Sequence, residues 1–119
     1  MIIEIEKLIR VVVLINSEGT ILGLLKDKSD KLFLCSYLKN KNGTVYFSTT
    51  KNILLDYLNG NLKTEELFLK SDSFLVTIKS EGESKSYIKE NLKGEIQFGA
   101  LRYSEISSSM KCENPFQYL

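Results

Sequence analysis

The side chains that could do covalent chemistry are two cysteines, Cys35 and Cys112, in a chain of 119 residues with no histidine. Without an imidazole there is no Ser-His-Asp triad, no Cys-His dyad, no His-bearing zinc site and no histidine general base. Cys35 could serve as a nucleophile only if a helix N-terminus or a nearby cation lowered its pKa. Its sequence neighbours are Leu34 and Ser36, inside an apolar run. Free cysteine packs as a small hydrophobe, so the sequence favours a buried structural thiol. Cys112 lies in a polar tail with no base beside it.

The carboxylates are no more specific. Asp27 and Asp30 look like a fragment of a calcium loop, but an EF-hand needs further oxygen ligands, a Gly and a terminal Glu at fixed spacing. Lys26, Lys28 and Lys31 interrupt the segment, which reads as a solvated turn. Glu65 and Glu66 fit a helix start better than an acid/base pair. No GxGxxG or GxxxxGK[ST] pattern is present, so the sequence implies no phosphate cradle. The residues call for no metal and no cofactor.

Two surfaces could bind a partner. Tyr37 and Tyr46 with Lys39, Lys41 and Lys51 form a basic-aromatic hairpin region. Stacking aromatics beside cations is how single-stranded nucleic acid is held, and also how an ordinary hairpin keeps its tip soluble. The formal net charge is only +1, from 16 Lys+Arg against 15 Asp+Glu, which supplies no field for nucleic acid or an anionic membrane. Arginine, the usual partner of phosphates and carboxylates, occurs only at positions 10 and 102. The second surface is the C-terminal Phe116-Gln117-Tyr118-Leu119, which either folds back on the domain or docks on a partner or a second copy. The candidate partner-binding residues are therefore Tyr37, Lys39, Tyr46, Phe116 and Tyr118.

The elements that must position these residues follow from periodicity. β-branched residues over 8–15 predict a buried strand, and Thr20 to Lys26, Leu32 to Lys39 and Thr44 to Thr49 predict three more. Residues 2–9 fit either period, and the reading here is strand. Asn42-Gly43 predicts a two-residue type I′ turn, since both central positions need positive φ. That turn would set Lys41 opposite Thr44, Lys39 opposite Tyr46 and Leu38 opposite Phe47. One face would then carry Leu32, Leu34, Leu38, Val45 and Phe47. The other would carry Phe33, Cys35, Tyr37 and Tyr46, with Lys39 and Lys41 near the tip.

From residue 50 the period becomes helical: Ile53, Leu54, Tyr57 and Leu58 form one stripe, capped by Thr49 or Thr50 and ended by Asn59-Gly60. This stripe should pack on Leu34, Leu38 and Phe47. Thr64 reads as the N-cap of a second, short helix. Ser73 to Lys79 predicts a strand, Ser80 to Ser84 a turn, Tyr87 to Leu92 a strand or a helical turn, and Glu95 to Tyr103 a loose strand.

With 43% hydrophobic and 26% charged residues the balance is that of a folded domain. Residues 1–119 form one domain, with 106–119 as a tail. The longest apolar run near the N-terminus, Val11 to Ile15, is five residues. A secretory core needs about 7–15 and a membrane span about 20, so the expected location is the cytoplasm.

The stretch from about Leu24 to Ile78 resembles a family of small uncharacterised bacterial and phage α+β domains. The features that carry the resemblance are Lys26-Asp27, the strand bearing Tyr37, the helix Ile53-Leu54-Leu55-Asp56-Tyr57-Leu58, Asn59-Gly60, Leu62 with Glu65-Glu66-Leu67, and the strand Phe74-Leu75-Val76-Thr77-Ile78. The resemblance implies a β-meander and no active site. The expected fold is α+β: a mainly antiparallel meander of five or six strands, with one or two short helices after the fourth. The expected function is a non-catalytic protein-binding module, such as an immunity protein, antitoxin or defence inhibitor. The alternatives are nucleic-acid binding through the hairpin Lys/Tyr face, and a small enzyme with Cys35 as nucleophile.

Overall fold

Five strands hydrogen-bond in sequence order into one antiparallel meander. They are β1 (Ile9–Asn16), β2 (Thr20–Lys26), β3 (Leu32–Leu38), β4 (Gly43–Ser48) and β5 (Phe74–Ile78). Helices α1 (Lys51–Leu58) and α2 (Thr64–Leu69) intervene between β4 and β5, and α3 (Lys89–Leu92) follows. The computed structural model describes residues 3–38, 40–79 and 87–119. Lys39, one of the candidate partner-binding residues, and the turn expected at Ser80 to Ser84 lie outside the described residues. Among the described residues no helix is long and apolar enough to cross a membrane.

One sheet face is the floor of the main core. Leu22, Leu24, Leu34, Leu38, Val45 and Phe47 are buried on it under Leu54, Tyr57, Leu67 and Phe68 of the helices. The helical stripe thus packs where its spacing predicts. Thr50 caps α1 by accepting the Ile53 amide, and the chain leaves the helix through Asn59 with Gly60 at φ +83°. Phe68 packs edge-on against both Phe47 and Phe74, with ring centres 5.4 Å apart in each pair. The C-terminal segment closes the same core with Tyr103, Ile106 and Tyr118.

Several local expectations are overturned. The strand expected over 2–9 is not found among its described residues before Ile9: Ile5–Lys7 make a single 3-10 turn and β1 starts at Ile9. The turn places Ile3 on the second sheet face, against Leu25, Phe33 and Cys35. Glu95 to Tyr103 is not a sixth strand either. Two of its carbonyls go to the start of α2, where Gly99 and Leu101 accept the Glu65 and Thr64 amides at 3.0 and 2.9 Å, and Ile96 and Phe98 bond within the segment. Thr64 is inside α2, not its cap. Glu66 instead reaches back to the Lys63 amide at 2.8 Å, and the Thr64 hydroxyl bridges Tyr57 and the Leu101 carbonyl.

The hairpin register is corrected as well. Leu38 pairs with Gly43, Cys35 with Tyr46 and Leu34 with Phe47. Each β4 residue therefore meets a β3 residue four positions earlier than a two-residue turn would give. With Leu38 and Gly43 as the last pair, the connection is longer than two residues, and of its described residues Asn42 alone takes a positive φ, at 49°. Gly43 is needed for a different reason. A Cβ on it would lie 2.3 Å from the Thr77 carbonyl oxygen of β5, so the residue lets two backbones close up. Because the slip is an even number, the two faces keep their predicted membership.

Candidate functional site

The second face of the sheet carries Leu25 on β2, Phe33, Cys35 and Tyr37 on β3, Thr44 and Tyr46 on β4, and Leu75 and Thr77 on β5, as the register dictates. At one end it is closed: Ile3 and Leu8 cover Leu25, Phe33 and Cys35. At the other end the cover stops. Tyr37 and Tyr46 are half-buried, and Leu75, paired with Tyr46, is 37% exposed.

Where the cover stops there is a notch of about 100 Å³ lined by Arg10, Thr20, Cys35, Ser36, Tyr37, Thr44 and Tyr46. Gly23 makes room beside it. A Cβ on Gly23 would lie 2.9 Å from the Cys35 sulfur and 3.3 Å from the Thr20 methyl, so any larger residue would push both aside. Tyr37 is held by its hydroxyl, which donates to Asn42 Oδ1 at 2.9 Å across the hairpin loop.

Arg10 reaches the notch because β1 is irregular. Arg10 pairs with Leu25, but Val12 pairs with Leu24, so Val11 is an extra residue on β1. Such a bulge re-aims the side chains on either side of it. In a regular strand Arg10 and Val12 would share a face. Here Val12 packs on the main core while Arg10 donates to the Thr20 hydroxyl at 3.3 Å and lies beside Cys35. Burial pushes the Cys35 thiol up from its ordinary range, and Arg10 only partly opposes this. Burial likewise raises the Tyr46 phenol. The cation that a nucleophilic Cys35 would need is thus present, but desolvation outweighs it and the thiol stays protonated at neutral pH.

The structure brings together two of the sequence-predicted candidates, Tyr37 and Tyr46. Phe116 and Tyr118 are elsewhere: the tail folds back, with Tyr118 packed on the main core and Phe116 turned outward at 42% exposure. Lys41, expected on the Tyr face, instead ion-pairs with Glu95 at 3.7 Å and lies over the Tyr87 ring. Asp27 is spent within its own turn. Its Oδ1 accepts from the Ser29 amide and hydroxyl and the Lys31 amide at 2.8–3.0 Å, which holds its carboxyl below the usual range.

Sequence reasoning missed Arg10, Thr20, Thr44 and Leu75. The one signal for Arg10 was a charged residue in an otherwise apolar strand. No family model, curated protein or solved structure matches the chain.

Proposed function

We propose that this chain is a non-catalytic protein-binding module, and that it binds through the open half of its second sheet face. The observation that carries the reading is the incomplete cover of that face: Tyr46, at the edge of the small cluster around Ile3, stays half-buried, as does Tyr37, and Leu75 beside Tyr46 is exposed. Tyrosines that offer a large rigid ring and a polar tip are the side chains on which interfaces concentrate binding energy. A small immunity protein, antitoxin or defence inhibitor needs such a surface and no reactive group.

The test is capture of a stoichiometric partner from lysate of the cells that encode the chain. Wild-type protein and the Phe116→Ser variant should retain it, while Tyr46→Ser and Leu75→Ser should lose it. Capture of nothing by the wild type, or loss only with Phe116→Ser, would overturn the reading. Salt-sensitive retention of a mixed oligonucleotide pool in place of a protein would point to the nucleic-acid alternative.

A further inference from the structure

We infer that the notch at Arg10 receives a single carboxylate side chain, a Glu or Asp of the partner protein, seated between Tyr37 and Tyr46. The inference rests on the binding reading above and names what that face recognises. Three observations carry it.

The first is an unmatched charge. Arg102, the other arginine of the chain, lies 3.8 Å from Glu105. Arg10 has no carboxylate partner among the described residues, and no acidic residue lines the notch. Its neighbours there are neutral, the Thr20 hydroxyl and the Cys35 thiol, and a guanidinium with five N–H donors keeps some to spare.

The second is the company the guanidinium keeps. Thr20, Thr44 and Tyr46, whose side chains carry hydroxyls, line the same notch. The Tyr46 phenol is protonated at neutral pH and able to donate, and burial only pushes it further up. One cationic fork with neutral donors around it matches a planar monoanion. A phosphate dianion would call for a second cation, which the lining lacks.

The third is size. Pockets for whole small-molecule ligands run from about 300 Å³ upward. A notch of about 100 Å³ takes a carboxylate head and one or two methylenes, with the tyrosine rings as their walls. That is the end of an acidic side chain, with the rest of the partner lying over Leu75 and Thr77.

The probe is N-acetyl-glutamate α-amide, with the N-acetyl-glutamine α-amide counterpart as neutral isostere and inorganic phosphate as a third arm. Each is titrated into the ¹⁵N-labelled full chain at fixed ionic strength. The glutamate compound should shift the amides of Thr20, Cys35, Thr44 and Tyr46 along one saturating curve, with a Kd on the order of millimolar for so small a fragment. Arg10→Gln should weaken it about tenfold or more, and Arg10→Lys, which keeps the charge but loses the fork, should fall between. Arg10 is exposed, so the spectra of both variants should otherwise overlay the wild type.

Equal shifts from the glutamine compound, no saturable shift from either, or tighter binding of phosphate would each overturn the carboxylate assignment. The two readings fail separately. A partner lost with Tyr46→Ser but unaffected by Arg10→Gln leaves the binding face standing and removes the carboxylate. Saturable glutamate binding in a chain that captures no protein keeps the anion notch and removes the protein partner.

Discussion

On one side of the sheet Leu34, Leu38, Val45 and Phe47 disappear under α1, α2 and the C-terminal segment. On the other, the apolar cover that the described residues give Phe33 and Cys35 comes from Ile3 and Leu8, and Tyr46 at its edge and Tyr37 beyond stay half-buried. The same two strands, alternating residue by residue, supply both faces. Helices, which bring a wide apolar stripe, bury a face completely. The N-terminal segment, with a single short turn, brings fewer apolar side chains and leaves part of a face open. Stability should therefore concentrate on the helical side, which leaves the other side free to vary its contacts.

The sharpest way to break this comparison is to truncate neighbours on β4 that point opposite ways. Phe47 is 1% exposed and touches Phe68. Phe47→Ala should cost about 3–5 kcal/mol in chemical denaturation. Tyr46→Ala should cost about 1 kcal/mol, because its ring is already half in water. Equal losses would mean that the second face is core in its own right.

Next in size is Gly43→Ala, with an expected cost of about 1–3 kcal/mol from forcing β4 and β5 apart. The change should show in the amide shifts of Thr77 and Ile78, the residues that the new methyl would meet. Loss of stability confined to the hairpin loop, with β5 undisturbed, would restore the reading of Gly43 as a turn residue.

Gly43 also shows how far the sequence could be read. Alternation in β3 and β4, the helical stripe and the caps at Thr50 and Asn59-Gly60 are local patterns, and the structure keeps them. An Asn-Gly pair is an equally local signal, yet its glycine answers to β5, which lies about thirty residues away along the chain. Glu95 to Tyr103 alternates like a strand but spends its carbonyls on local turns and on the start of α2. The candidate site was legible through Cys35, Tyr37 and Tyr46, which alternation sets on one face. Its cation arrives by a bulge at Val11, and no periodicity reveals a bulge, because that extra residue is defined by the partner strand.

A third and smaller effect is expected from Tyr57→Phe. The Tyr57 hydroxyl is buried and lies 2.8 Å from the Thr64 hydroxyl, which in turn donates to the Leu101 carbonyl. Losing it should cost about 0.5–1.5 kcal/mol. Burial raises this phenol far above its ordinary range, so it is neutral in both folded and unfolded chains up to about pH 9. The measured loss should accordingly be the same at neutral and mildly alkaline pH.

Tyr37→Phe makes the same chemical change on the other face and gives the smallest effect. Here the phenolic oxygen bonds to Asn42 Oδ1 in water, so both groups find solvent partners when it is removed. The stability change should stay within about 0.5 kcal/mol. Both substitutions delete one oxygen and leave a ring of nearly unchanged volume, so cavity terms cancel and only the burial of the hydrogen bond differs. A Tyr37→Phe loss as large as that of Tyr57→Phe would show the open face to be held as tightly as the closed one. A negligible loss, accompanied by weaker glutamate binding at the notch, would show that the Asn42 bond positions Tyr37 for a ligand and adds little to the fold.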